Sequence, residues 1–329
     1  GWVEPHDPVL ELLADFGFVF LMFLSGVEID FSSLGTFEPA HQRSKPQKWG
    51  PLQLGAASFI LTLTLSLGAG YLFTYFGLIE TPWMMALILS TTSLGVVVPV
   101  LKEKGVSRGS YGQSILVAAL IADFATMFLI TILVAAVSTG LTLDILLIGV
   151  LFVAFFLIYR FGMFFLNRPA IIRRTIEELN HATAQIKVRA AFTIMLVFVA
   201  LSESTGAEVI LGAFLAGAII SLIKRPDDAD LEHQLNVIGY GFFIPIFFIM
   251  VGVNFNLAAL AGSFSALTLA LMLILAAVVV KIIPALIFKL SYTWRQAFGA
   301  GAILSARLSL IIAASAIGLR LGIINELIN

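Results

Sequence analysis

The sequence predicts an all-α, polytopic membrane protein, and three observations support this prediction. Hydrophobic residues make up 60% of the 329 residues, and charged residues make up only 12%. Soluble domains carry about a quarter charged residues. Mean hydropathy is +1.03. Apolar runs long enough to cross a bilayer recur along the whole chain, and helices can satisfy their own backbone hydrogen bonds in lipid.

The apolar runs divide into about ten membrane segments. The sixth and seventh of them meet at a polar turn over residues 202–206. The ten predicted segments are 9–29, 51–77, 82–101, 111–138, 142–166, 188–202, 206–223, 236–253, 264–290 and 296–319.

The positions of the basic residues support this division. If the segments alternate in direction, loops 30–50, 102–110, 160–189, 224–235 and 289–295 fall on the same side of the membrane. These loops contain 16 of the 19 Lys and Arg residues. By the positive-inside rule, the basic loops are predicted to be cytoplasmic.

The longest connection, residues 167–189, separates the chain into two halves. Ile171, Ile172, Ile176 and Leu179 recur at helical spacing among charged residues. This pattern predicts an amphipathic linker helix at the cytoplasmic surface. The whole chain, 1–329, is otherwise predicted to form a single transmembrane domain.

Composition and motifs exclude several classes of function. The chain has no Cys, which excludes disulfides, thiol catalysis and Cys-based metal sites. Its four His are scattered over termini and loops, and its glycine pairs lack the strand–turn–helix context of a phosphate-binding loop. We therefore expect no enzyme activity, no cofactor and no nucleic-acid partner.

One carboxylate, Asp123, lies in the middle of the apolar run 115–132. Burying an ionisable group in hydrocarbon is costly, so such residues usually face a protein interior or a water path and mark an ion or proton site. The alternative is an acid that only holds helices together through a buried salt bridge. The first interpretation is favoured.

Two basic residues also lie inside apolar segments, Lys281 and Arg307. Burial favours the neutral form of an acid or amine, whereas an opposite charge nearby favours the charged form. A site balanced between the two effects could exchange a proton for a cation near neutral pH. Arg307 cannot lose its charge and must find acids or carbonyls, which favours a structural clamp over a transport ligand.

The third and tenth segments contain polar residues, Gly and Pro near their centres. Such segments are typical of the discontinuous helices that expose backbone groups at the midplane of transporters. Alternatively, the hydroxyls bond back to their own helix. The residues concerned are Thr91, Thr92, Ser93, Gly95 and Pro99 in the third segment, and Gly299, Gly301, Ser305 and Arg307 in the tenth.

Five blocks of sequence resemble, in order, blocks of the monovalent cation:proton antiporters, with the Kef/Nap-type branch most similar. They are FVFLMFLSGVEIDFSSL, STTSLGVVVPVLKEKG, ADFATM, ILGAFLAGAIIS and FFIPIFFIMVGVNFNL. The resemblance implies an inverted-repeat fold in which two discontinuous helices cross beside the helix that carries the essential Asp. It also implies a homodimer with a moving core, in a bacterial or archaeal inner membrane.

The resemblance assigns roles to individual residues. Asp123 would bind Na+ or K+ transiently and alternate between that cation and a proton, while Thr92, Ser93 and Thr126 would supply further polar contacts. Lys281 falls at the position of a core base. The implied function is secondary active exchange of a monovalent cation for protons, with the two ions, the bilayer and a second copy of the chain as partners.

The chain departs from the family pattern in two ways. The family carries further helices before the segment that starts near Leu10 and after the one that contains Arg307, so we predict a fragment that lacks the first and last helices. Other members have an acid or Gln where this chain has Ala122. A single carboxylate favours one proton per cation, with Lys281 either pairing with Asp123 or carrying a second proton.

Two other transport functions remain open. A sodium-coupled organic-anion symporter could share the fold, although a midplane carboxylate is a poor neighbour for an anionic substrate. A potassium efflux subunit gated by a ligand would require a soluble sensing domain, of which these residues show no trace.

Overall fold

The computed structural model describes residues 7–29, 49–107, 109–138, 148–166, 185–223, 229–253 and 264–324, and all regular structure in these ranges is helical. A π-helical turn, Gly239–Phe243, joins α9 to α10, and a 3-10 turn, Leu286–Leu290, follows α11. The helices are α1 (Pro8–Val27), α2 (Pro51–Tyr75), α3 (Pro82–Ser90), α4 (Leu94–Glu103), α5 (Ser110–Ser138), α6 (Ile148–Leu166), α7 (Ile186–Ser204), α8 (Val209–Ile223), α9 (Ala229–Ile238), α10 (Ile244–Val253), α11 (Phe264–Ala285), α12 (Trp294–Leu304) and α13 (Ser309–Arg320).

Most of the helices coincide with the predicted apolar segments, and both predicted interruptions are present. The predicted loop 224–235 is wrong over its second part, because residues 229–235 belong to α9. The third segment is divided into α3 and α4 by residues 91–93, and the tenth into α12 and α13 by residues 305–308. The boundary predicted over 202–206 lies slightly later in the structure, because α7 ends at Ser204 and α8 begins at Val209. The crossing of the interrupted helices and the inverted repeat stay predictions.

Within the described ranges, five helical stretches are long and apolar enough to cross a membrane. The predicted number of about ten membrane segments therefore stays a prediction. The five stretches are Pro8–Val27, Pro51–Tyr75, Ser110–Val137, Asp230–Val253 and Leu267–Leu290.

The chain divides into two compact units. The first comprises residues 1–31 and 135–255, and its described helices are α1 and α6 to α10. The second comprises residues 32–134 and 256–329, with α2 to α5 and α11 to α13. Most of the predicted linker, 167–184, lies outside the described residues, and 186–189 form the first turn of α7.

Small residues bring the helices of the first unit close together. A Cβ atom added to Gly26 of α1 would lie 2.8 Å from the Ala218 nitrogen of α8. One added to Gly212 of α8 would lie 2.5 Å from the Phe198 carbonyl oxygen of α7. Real Cβ atoms do not fit at such distances, so glycine at these positions permits the close backbone contacts typical of membrane helices.

The second unit is built on the packing of α2 against α3 and of α11 against α2 and α12. Phe73, Met85, Leu89 and Val280 are buried together in its core. The two interruptions touch each other within this unit, because the Thr92 hydroxyl donates a hydrogen bond to the Leu304 carbonyl, with 3.3 Å between the oxygens.

Candidate ion-binding site

Hydroxyl groups explain locally why α3 ends at Ser90. The Ser90 hydroxyl donates to the Leu87 carbonyl at 2.9 Å, and the Thr91 hydroxyl donates to the Ile88 carbonyl at 2.8 Å. Such bonds compete with the backbone ladder of a helix. The helix resumes only at Leu94. Carbonyls at the end of α3 and amides at the start of α4 are therefore free to bond with groups from elsewhere.

The acid lies at the amide end of this break. Asp123 of α5 is 5% exposed, and its Oδ2 accepts a hydrogen bond from the Leu94 backbone N–H at 3.1 Å. A helix N-terminus carries partial positive charge, which favours a carboxylate there. The other oxygen, Oδ1, is buried and has no hydrogen-bond partner among the described residues.

A lysine lies at the carbonyl end of the same break. Lys281 of α11 is 3% exposed, and its Nζ donates to the Ser90 carbonyl at 2.7 Å and to the Thr92 hydroxyl at 2.6 Å. A helix C-terminus carries partial negative charge and favours a cation. In the described part of the chain, Lys281 therefore contacts the end of α3 rather than Asp123 itself. The two charged groups still interact electrostatically.

Arg307, between α12 and α13, binds the same end of α3. Its Nε donates to the Thr91 carbonyl at 3.2 Å, and its Nη2 donates to the carbonyls of Leu89 at 2.5 Å and Ala277 at 2.8 Å. The sequence predicted that this guanidinium would bind acids or carbonyls, and the three partners found are backbone carbonyls. The contacts connect the second interruption to α3 and α11.

The three predicted hydroxyl residues are all buried beside the first interruption. The Thr92 hydroxyl already accepts a hydrogen bond from Lys281. Ser93 is 1% exposed, and its hydroxyl has no hydrogen-bond partner in the described part of the chain. The Thr126 hydroxyl, one turn along α5 from Asp123, lies 3.4 Å from that of Ser90. The structure thus brings all of the predicted site residues into one region of the second unit.

A small cavity of about 10 Å³ adjoins this region and involves residues that the sequence analysis missed. Ser58 and Thr62 of α2 belong to it. A signal for them exists, because Ser58, Thr62 and Ser66 recur every fourth residue in an apolar helix and so share one face. The residues that line the cavity are Ser58, Phe59, Thr62, Thr92, Ala118, Ala122, Lys281 and Leu304.

The charged groups at this site are a single acid and two bases. Among the described residues, no group of three or more His, Asp or Glu could hold a metal ion. A cation at Asp123 would therefore be bound by one carboxylate and by neutral oxygens. This ligand set is suited to a weakly bound monovalent ion, because hard cations prefer oxygen ligands and divalent sites gain affinity from several carboxylates.

The chain belongs to the sodium/hydrogen exchanger family. The family's transmembrane model matches residues 1–328, and this match confirms the resemblance to the monovalent cation:proton antiporters. It is thus an integral membrane protein whose relatives are named as transporters.

Similar proteins occur in bacteria and archaea. "Putative Na(+)/H(+) antiporter YjbQ" of Bacillus subtilis (strain 168) is 43% identical over 331 residues, which are 98% of this chain and 52% of that protein. "Probable Na(+)/H(+) antiporter 3" of Methanocaldococcus jannaschii is 29% identical over 333 residues, 97% of this chain and 78% of that protein. The chain thus spans about half the length of the Bacillus relative.

Proposed function

We propose that this protein is a secondary active antiporter that exchanges Na+ or K+ for protons across a bacterial or archaeal inner membrane. Family membership and the names of the relatives support cation/proton exchange. The observation that carries the proposal for this chain is the state of the two Asp123 oxygens. Oδ2 accepts a hydrogen bond from the Leu94 N–H, while Oδ1 is buried and has no hydrogen-bond partner within the described ranges.

An unpaired carboxylate oxygen in a buried site is costly unless something neutralises it. A proton on Oδ1 removes the charge, and a monovalent cation bound to Oδ1 balances it. The two ligands exclude each other, because both need the same oxygen. Asp123 therefore binds either a proton or the cation, and this exclusion couples the two ion movements.

Neutral oxygens complete the proposed cation site. Ser93 is the most available of them, because its buried hydroxyl has no partner among the described residues. Thr126 is loosely placed, with 3.4 Å between its hydroxyl and that of Ser90. Thr92 already bonds to Lys281 and Leu304, so it acts by positioning the lysine.

The two bases have different proposed roles. Arg307 is a clamp that holds the carbonyl end of α3 through two backbone contacts and joins it to α11 through a third. Lys281 is the charge partner of Asp123 and acts through space. Since the described residues supply a single carboxylate at the site, Asp123, we propose a cycle of one proton per cation, which is electroneutral.

The other two functions receive less support. An anionic substrate would be repelled by a buried carboxylate beside its site. A gated potassium efflux subunit would pass K+ without exchanging a proton for each ion. The homodimer, the moving core and the cytoplasmic position of the basic loops remain part of the proposal.

The test is exchange in proteoliposomes that contain a pH-sensitive dye. Asp123→Asn keeps the shape of the side chain and an acceptor for the Leu94 N–H, but it cannot exchange a proton for a cation. We expect loss of Na+- and K+-dependent dye dequenching, by about 100-fold or more. The matched control is Asp230→Asn, at an exposed position in the first turn of α9, which should exchange like the unaltered protein.

Two results would count against the proposal. Normal cation-dependent dequenching in Asp123→Asn would show that another group couples the ions. Potassium flux without proton movement in the unaltered protein would favour the efflux subunit instead.

A further inference from the structure

Two of the three donors of the Lys281 ammonium have partners in the part of the chain that the structure describes. Lysine carries three N–H groups and no acceptor. One of them donates to the Ser90 carbonyl and another to the Thr92 hydroxyl. A buried ammonium is stable only when its hydrogen bonds are satisfied. The third donor therefore needs an acceptor.

The small cavity beside Lys281 offers that acceptor a place. Its volume of about 10 Å³ is near the smallest that admits one water molecule. Three residues that carry hydroxyl groups, Ser58, Thr62 and Thr92, line it together with the lysine. A buried water needs two to four polar partners, and these groups supply them.

The hydrogen-bond pattern of α2 leaves hydroxyl lone pairs available on residues that line this cavity. The Thr62 hydroxyl donates its hydrogen to the Ser58 carbonyl at 2.8 Å, so its lone pairs are left to accept a bond. Ser58 itself is 5% exposed. Ala118 and Ala122 of α5 also line the cavity, and their side chains are short.

We propose that this cavity is a water-binding site that positions Lys281. The water accepts a hydrogen bond from the third N–H of Lys281 and donates to the hydroxyls of Thr62 and Ser58. It thereby keeps the ammonium against the carbonyl end of α3 and away from the Asp123 carboxylate. This inference deepens the proposed function, because it rests on Asp123 as the cation site.

The charges around Lys281 make this positioning consequential. Asp123 and Arg307 both interact electrostatically with Lys281, whereas α2 and α3 carry no ionisable Asp, Glu, His, Lys or Arg. Without the water, we expect the third donor to be drawn towards Asp123 Oδ1, which has no hydrogen-bond partner among the described residues. The ammonium would then compete with the transported cation for that oxygen.

The direct test is a high-resolution structure of the full chain in lipid. We expect ordered solvent density within hydrogen-bond distance of Lys281 Nζ and of the Thr62 hydroxyl. In Ala122→Val the added methyl groups should fill the cavity and remove that density. A cavity that is dry in the unaltered protein, or a third Lys281 hydrogen bond to a protein group, would overturn the proposal.

The functional test uses two threonines of α2 that differ mainly in their surroundings. Thr62 is buried at the cavity and Thr64 is exposed, yet both hydroxyls donate to the carbonyl four residues earlier at 2.8 Å. Thr62→Val should raise the apparent KM for the cation about fivefold or more and change the maximal rate less. A fivefold change corresponds to loss of about one hydrogen bond. Thr64→Val should leave both parameters unchanged.

Equal cation KM values in Thr62→Val and the unaltered protein would overturn the positioning role. The density does not depend on transport, so the two proposals can fail separately. Density at Lys281 together with normal exchange in Asp123→Asn would refute only the role of Asp123. Loss of exchange in Asp123→Asn with a dry cavity would refute only the water site.

Discussion

The two interrupted helices differ in how their broken ends are satisfied. At 91–93 the freed backbone groups bond to side chains of other segments, namely Lys281, Arg307 and Asp123. At 305–308 the chain closes most of the break itself. The Ser305 hydroxyl donates to the Gly301 carbonyl at 2.7 Å, and the Ala306 N–H donates to the Ile303 carbonyl at 3.1 Å.

This difference shows that an interruption becomes a charged site only when its backbone groups stay available. At the first break, Asp123 lies at the amide end of α4, and Lys281 and Arg307 lie at the carbonyl end of α3. Each charge thus faces the helix end whose partial charge is opposite to its own. The second break contributes the Arg307 side chain and the Leu304 carbonyl. We infer that the first break binds ions and that the second supports it.

The largest effect is expected from Arg307→Gln, which breaks the connection between the two interruptions. Three carbonyls lose a charged donor, and each hydrogen bond to a charged group contributes about 1.5–3 kcal/mol. We expect a clear loss of thermal stability in detergent and at least a tenfold loss of exchange. Arg295→Gln, at an exposed position at the start of α12, is the control and should change neither. An unaltered melting temperature in Arg307→Gln would refute the clamp.

A smaller effect on folding, but a clear effect on pH dependence, is expected from Lys281→Met. Removing one member of a buried charge pair leaves the other uncompensated, but a carboxyl can avoid that cost by keeping its proton. A carboxyl without a positive charge nearby holds its proton to a higher pH. Exchange in proteoliposomes should therefore begin at a higher pH, by about one unit. If the variant instead fails to fold, Lys281 is a structural residue.

The smallest effects on exchange are expected from single hydroxyl removals, one at each break, and these compare the two breaks directly. Thr92→Val removes an acceptor of Lys281 at the first break, whereas Ser305→Ala removes a hydroxyl that bonds only within its own turn at the second. We expect exchange to fall severalfold in Thr92→Val and less than about twofold in Ser305→Ala, because a neutral hydrogen bond contributes only about 1 kcal/mol. Similar rates in the two variants would contradict the difference in roles.

The sequence was sufficient to predict the elements that carry a strong local signal. Long apolar runs predicted most of the helices. Clusters of Thr, Ser, Gly and Pro predicted interruptions within 91–99 and 299–307, and the structure has them at 91–93 and 305–308. Asp123 was conspicuous because acids are rare in apolar segments. Its burial and its place beside the first break agree with that prediction, while its role stays a proposal.

Contacts with backbone atoms could not be predicted in the same way. Ser90 binds Lys281 through its carbonyl, and Leu94 binds Asp123 through its N–H, and every residue type has these groups. Only the fold determines which of them are left exposed at a break. Ser58 and Thr62 could have been found, because a polar residue at every fourth position of an apolar helix marks one face.

The most direct test of the account is the number of protons released when the cation binds. Na+ or K+ is added to the purified protein in weakly buffered detergent solution, and released protons are measured with a pH dye alongside bound cation. Competition for the Asp123 oxygen predicts about one proton released per cation bound, and neither binding nor release in Asp123→Asn. Cation binding without proton release, or unchanged release in Asp123→Asn, would contradict the account.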